Sequence, residues 1–277
     1  MFDCILDGLI DVIKILPYLF ITFTILEIIE HRLDNEKILS KNKKYGPIVG
    51  GLLGSLPQCG VSAIASSFFS TKVITLGTLV AILLSTSDEM LPIMFSEKVK
   101  VLSLLKIVGL KVIIGTTIGL IIDLIYKSKN NKPTNIENLC DKDNCHCDKD
   151  GLILSSIKHT LKIGLFILIA NILINLIIYY IGENKLSNLL LHKNIFTYFI
   201  ASLIGLIPNC ASSVIITKLY LSNLISLGTL FSGLLTGSGI GILLLFKYNK
   251  NIKENISILS IIYLIGVIIG ILIDLFV

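Results

Sequence analysis

The chain has 277 residues, 53% of them hydrophobic and only 16% charged, with a mean hydropathy of +0.85. A soluble domain of this size needs far more polar surface, so an integral membrane protein is expected. The net charge of +5 sits mostly on Lys in short loops, which is the bias of a polytopic protein and not a footprint for nucleic acid.

Read from its start, the chain places Asp3, Asp7 and Asp11 before its first apolar run, with no basic region and no small-residue cleavage site, so that run is expected to be retained. Eight hydrophobic segments follow. Four lie at about 8–30, 46–70, 73–95 and 101–126, and four more at about 157–181, 195–219, 224–246 and 256–277. A polar linker, 127–156, separates them, giving transmembrane repeats at 1–126 and 157–277.

The halves are copies. With a shift of 151, Pro57, Cys59 and Ser62 fall on Pro208, Cys210 and Ser213, and Leu76-Gly77-Thr78-Leu79 falls on Leu227-Gly228-Thr229-Leu230. Gly115, Gly119 and Asp123 likewise fall on Gly266, Gly270 and Asp274. Duplicated halves broken at matching positions are the mark of secondary transporters. If the third segment of each half is re-entrant, more of the basic residues gather on one side of the membrane than if it crosses, which favours inverted repeats. The expected fold is therefore all-α and polytopic: two homologous repeats, inverted, whose broken or re-entrant helices meet at the midplane.

The second segment is broken by "GSLPQCGVS" in the first half and by "GLIPNCASS" in the second. A proline deep in such a segment frees a carbonyl and opens the backbone, which lipid tolerates only where protein or water satisfies it. If the pseudo-twofold brings the two phrases together, Gln58, Cys59, Ser62, Asn209, Cys210 and Ser213 converge on one substrate site. Taken singly, each phrase also reads as a packing kink with a small buried thiol. The third segment is broken at Ser85-Thr86-Ser87-Asp88-Glu89, matched by Thr236-Gly237-Ser238-Gly239-Ile240. Asp88 and Glu89 thus occur in one half only. Intramembrane carboxylates are costly, so they are candidates for cation binding and proton coupling, with a surface helix cap as the alternative.

Glu27 matches Asn175 at a shift of 148, and Asn171 lies one turn earlier on the same face. Glu27 is a further proton-coupling candidate, and the two Asn could line the pathway or simply bond between helices. Asp123 and Asp274 close the fourth segments and are expected to be interfacial anchors, with Lys106 or Lys111 as ion-pair partners. The linker carries Cys140, Cys145, His146 and Cys147, whose thiolates and imidazole suit a soft or borderline metal, although their spacing is no standard zinc module and a solvated connector fits equally.

The chain resembles a bacterial family of ten-spanning heavy-metal exporters whose members are named as arsenic efflux proteins or manganese transporters. The resemblance rests on Pro57-Gln58-Cys59-Gly60, on Val73-Ile74-Thr75-Leu76-Gly77-Thr78-Leu79 running into Ser85-Thr86-Ser87-Asp88-Glu89 and Pro92-Ile93, on Lys158-His159-Thr160-Leu161-Lys162, on Pro208-Asn209-Cys210 and on the Cys/His linker. It implies export of a toxic metal or metalloid, and an odd count of five spans per half, which agrees with inversion. The linker departs from the family in holding one His where more are expected.

The ligand types allow two cargoes. Hard donors (Asp88, Glu89, Gln58, Asn209) suit Mn2+, whereas Cys59 and Cys210 suit As(III) and other thiophilic ions. No Walker loop is present, so proton coupling through Asp88, Glu89 or Glu27 is the expected drive. A transporter of a sulfur-containing anion and an intramembrane thiol oxidoreductase are the rival readings. No cofactor is expected; membrane lipid, the transported ion and further copies of the chain are the candidate partners, in a multi-pass cell-membrane protein.

Overall fold

The computed structural model describes residues 45–56, 59–70, 72–87, 90–126 and 195–276, together with residues 16, 17, 20, 24, 157, 160, 161, 164–166, 168, 169, 172, 173 and 190. Among the described residues all regular structure is helical. In the first half the helices are α1 (Gly46–Gly54), α2 (Cys59–Ser70), α3 (Leu76–Ser85), α4 (Met90–Ser96) and α5 (Val101–Ile125). In the second they are α6 (Phe196–Gly205), α7 (Cys210–Leu221), α8 (Leu227–Thr236), α9 (Ile240–Tyr248) and α10 (Ile252–Phe276). The shift of 151 carries each of the first five onto its counterpart to within a residue or so.

Each break expected from sequence ends one helix and starts another. Segment two becomes α1 and α2 or α6 and α7; segment three becomes α3 and α4 or α8 and α9. Four stretches among the described residues are long and apolar enough to cross a membrane: Leu76–Ser96, Val101–Ile125, Leu227–Tyr248 and Ile252–Phe276. The protein is a multi-pass membrane protein.

Apolar residues sort these helices by depth. In α3 every residue from Gly77 to Ser85 is buried, and so is every residue from Gly228 to Thr236 in α8. These are the central helices. The long α5 and α10 turn most of their surface outward, exposing Leu102, Ile113 and Leu124 on one and Ile256, Leu264 and Leu275 on the other, a pattern that lipid and not water would cover.

Close backbone approach joins each central helix to its outer one. A side-chain carbon at Gly77 would overlap the carbonyl oxygen of Gly119, and one at Gly228 would overlap that of Gly270. Small residues that let backbones touch are the main means of helix association where lipid tails are as apolar as leucine. Higher up the same seams, a carbon on Gly115 would stand 2.9 Å from the Ala81 carbonyl oxygen, and one on Gly266 2.9 Å from that of Ser232.

At the start of each central helix lies a clamp. Thr75 caps α3, its hydroxyl accepting from the Thr78 amide at 3.2 Å and donating to Asp123 Oδ2 at 2.6 Å, while the Gly77 amide donates to Asp123 Oδ1 at 2.8 Å. Ser226 caps α8 in the same way, with its hydroxyl on Asp274 Oδ2 and the Gly228 amide on Asp274 Oδ1 at 2.7 Å. A carboxylate there satisfies orphan amides and complements the positive helix end. Asp123 and Asp274, expected as interfacial anchors, are therefore capping groups that tie α5 to α3 and α10 to α8. The second half adds one bond: Tyr198 of α6 donates its phenol to Asp274 Oδ2 at 2.8 Å, at a position that is Pro47 in the first half.

The halves interlock by exchange. α2 packs on α9 of the other repeat, α7 packs on α4, and α3 meets α8 between them. This reciprocity is what a pseudo-twofold axis between the repeats produces.

Candidate functional site

The site lies where the two broken third segments meet. Thr86 ends α3 in an extended conformation, its amide still bonded to the Ile82 carbonyl, and its hydroxyl turned back onto the same carbonyl at 2.7 Å. In the second half Gly237 ends α8, and Gly239 starts α9 with φ 52° and ψ −136°, a backbone that side chains rarely adopt. The glycine that stands where the first half has Asp88 thus serves the turn itself.

A small cavity, of the order of a water molecule or two and lined by both polar and apolar groups, opens at this junction. The first repeat contributes Thr86, Ser87 and Met90 to its lining; the second contributes Asn209, Ser212, Ser213, Leu234, Gly237 and Gly239. Asn209 is the N-cap of α7: its backbone is extended, and its Oδ1 accepts from the Ala211 amide at 3.1 Å. The Ser212 hydroxyl folds onto the Asn209 carbonyl at 2.8 Å. The amino ends of α7 and α9 therefore both face the cavity.

On the opposite crossing the described residues pack closely. Ser62, the counterpart of Ser213, is fully buried in α2, and a carbon added to Gly241 of α9 would stand 2.8 Å from its Cβ. The Ser66 hydroxyl closes the seam by donating to the Gly241 carbonyl at 2.7 Å. Counterpart positions behave differently: Met90 replaces Gly241, and Thr217 replaces Ser66 with a buried hydroxyl that finds no partner among the described residues.

Of the residues picked from sequence, Asn209 and Ser213 line the cavity and Ser62 lies in the closely packed crossing instead. Cys59 and Cys210 are the first residues of α2 and α7, and their side chains lie outside what the structure describes. Gln58, Asp88, Glu89, Glu27, Asn171 and Asn175 lie outside the described residues, as do Cys140, Cys145, His146 and Cys147 of the linker. In the sequence, Asp88 and Glu89 directly follow the lining residue Ser87.

Sequence reasoning passed over Lys111 as a site residue. Its side chain is completely buried, and its ammonium donates to the Thr86 carbonyl and, at 3.1 Å, to the Leu234 carbonyl, both lining residues from different repeats. The signal was present, since a lysine near the middle of an apolar spanning segment marks a functional position by default.

Duplicated, broken helices that enclose a hollow at the repeat junction define a membrane protein of the transporter class. More narrowly, the chain belongs to the family described as "Putative, 10TM heavy-metal exporter", whose model matches residues 2–181 and 165–277. No curated protein and no solved structure matches it.

Proposed function

We propose that the protein is a secondary-active exporter of a metal or metalloid ion, with Mn2+ and As(III) as the two cargo chemistries its residues offer, and that it exchanges this cargo for protons. The observation that carries the reading is the unequal pair of crossings. The cavity collects one polar break from each repeat and is lined on the α4–α7 side, while on the α2–α9 side the described residues Ser62, Ser66 and Gly241 pack closely. Inverted repeats that exchange these two packings would expose one site alternately to either face of the membrane.

In this reading Asn209 and Ser213 hold the cargo within the cavity, and Gln58, Cys59, Cys210, Asp88 and Glu89 complete the donor set. Ser62 would take up the role of Ser213 when the crossings exchange. Asp88, Glu89 and Glu27 are the proton carriers, because cation binding and burial act on a carboxylate in opposite directions. Asn171 and Asn175 line the route, and the Cys/His linker captures metal outside the membrane core.

A tolerance screen over Mn2+, Zn2+, Cd2+, arsenite and arsenate in a sensitised host tests this. The expected result is tolerance to one ion class, abolished by Asp88→Asn or Cys59→Ala at undiminished expression. Unchanged tolerance in both variants refutes the site. The amino ends of α7 and α9, which face the cavity, favour one further reading, an anionic cargo such as a sulfur-containing anion. Accumulation of radiolabelled sulfur compounds, with no change in metal tolerance, would establish it.

A further inference from the structure

The carboxyl end of a helix carries orphan carbonyls and the negative pole of the helix dipole. Two such ends, those of α3 and α8, meet at the seam between the repeats, and neither helix contains a charged residue. At the end of α8 the chain turns so that the Ser238 amide bonds to the Thr236 carbonyl, which leaves the Leu234 carbonyl without its usual amide four residues on. At the end of α3 the Thr86 carbonyl lies past the last helical residue. Both carbonyls are taken by a single group, the ammonium of Lys111.

Lys111 comes from the inner face of α5, between Ile107 and Ile114, and it is completely buried. Burying an ammonium is expensive unless several oxygens replace its water. The duplication shows that this is not a general feature of the fold, because the counterpart of Lys111 is Ile262, which is equally buried and apolar. The nearest acids along the chain from Thr86, Asp88 and Glu89, lie outside the described residues. Asp123, on α5 itself, is more than three turns away and is committed to Thr75 and Gly77.

We propose that the carboxyl ends of α3 and α8 form one locus for a monovalent cation across the repeat seam, and that Lys111 is its tethered occupant. The fixed ammonium stands where a transporter without it would take up a free monovalent ion, and it joins the two breaks at the wall of the cavity. Because Thr86 and Leu234 line that cavity, the meaning of the locus for export rests on the transport reading above. The cation-dependent stability described next does not, since it is read with no cargo present.

Lys111→Ala removes three carbons and the ammonium, the outline of n-propylammonium. In the purified full chain in detergent, n-propylammonium chloride is expected to raise the melting temperature of Lys111→Ala saturably, by roughly 5 °C, as a ligand of the folded state does. Neutral 1-propanol should not, and neither wild type nor Lys111→Met, whose side chain fills the space, should respond to n-propylammonium. No shift in Lys111→Ala, an equal shift with 1-propanol, or an equal shift in wild type overturns the proposal. Should Lys111→Ala fail to accumulate, membrane levels of two further variants decide. Lys111→Arg, which keeps a cation, is expected to accumulate well above Lys111→Met, and any other order overturns the proposal.

Discussion

The crossings of α2 on α9 and of α7 on α4 are built from duplicated sequence, yet among the described residues one is closely packed and the other borders a cavity. The difference comes down to a few positions. Gly241 lets α2 approach until Ser66 bonds to its carbonyl beside Ser62, whereas at the matching place Met90 lines the cavity together with Asn209, Ser212 and Ser213. The comparison teaches that in this fold the pseudo-symmetry supplies the architecture and its violations fall beside the cavity: Met90 for Gly241 in its lining, and Lys111 for Ile262 bonded to two lining carbonyls.

The largest expected effect is Gly241→Met, which gives the closely packed crossing the residue of the one beside the cavity. A side chain there has no room beside Ser62, so overpacking should cost about 1–3 kcal/mol and export should fall to background. A melting curve in detergent together with metal tolerance checks it; wild-type tolerance would show that the two crossings need not differ.

Next come the clamps, which the comparison treats as equal but for one bond. Asp123→Ala and Asp274→Ala each remove a cap from a central helix and should each destabilise by about 1–2 kcal/mol. Tyr198→Phe deletes the bond found in the second half only and should cost about 0.5–1.5 kcal/mol, an effect that disappears in the Asp274→Ala background. Additivity of the two in a double-mutant cycle would contradict the 2.8 Å contact.

Smaller again is the pair Ser66 and Thr217. Ser66→Ala loses the bond to the Gly241 carbonyl and should cost about 1 kcal/mol, whereas Thr217→Val removes a buried hydroxyl without a partner among the described residues and should be neutral or stabilising by up to about 1 kcal/mol. Smallest is Lys72→Asn. Lys72 ends α2 with φ 64°, and its counterpart Asn223 ends α7 with φ 56°, a conformation asparagine tolerates better. A gain of roughly 0.5 kcal/mol is expected, since the half-exposed ion pair to Glu254 that it gives up contributes little.

Much of the architecture was legible before any coordinates. Aligning the halves sets Pro57 on Pro208 and Thr86 on Gly237; α1 and α6 end at Gly54 and Gly205, ahead of the prolines, and Thr86 and Gly237 cap the ends of α3 and α8. Asn209 and Ser213 were chosen from their phrase and do line the cavity. What the sequence withheld was depth and approach. Hydropathy marks Asp123 and Asp274 as charges near the ends of apolar runs, which suggests an interface; only the packing of α5 on α3 and α10 on α8 shows them at helix starts. Lys111 was weighed solely as a partner for acids, because periodicity cannot say that two helix ends will present carbonyls to it. The split fate of Ser62 and Ser213 could not be read from a repeat that matches them.

The most direct test of the account is cargo uptake into everted membrane vesicles by a Ser213→Leu variant, whose side chain would fill the cavity. Proton-driven accumulation of the ion identified in the tolerance screen is expected to fall to the level of empty-vector vesicles, while the melting temperature stays near that of the wild type. Accumulation at the wild-type rate, by a folded variant, would mean that the cargo does not pass between the two breaks.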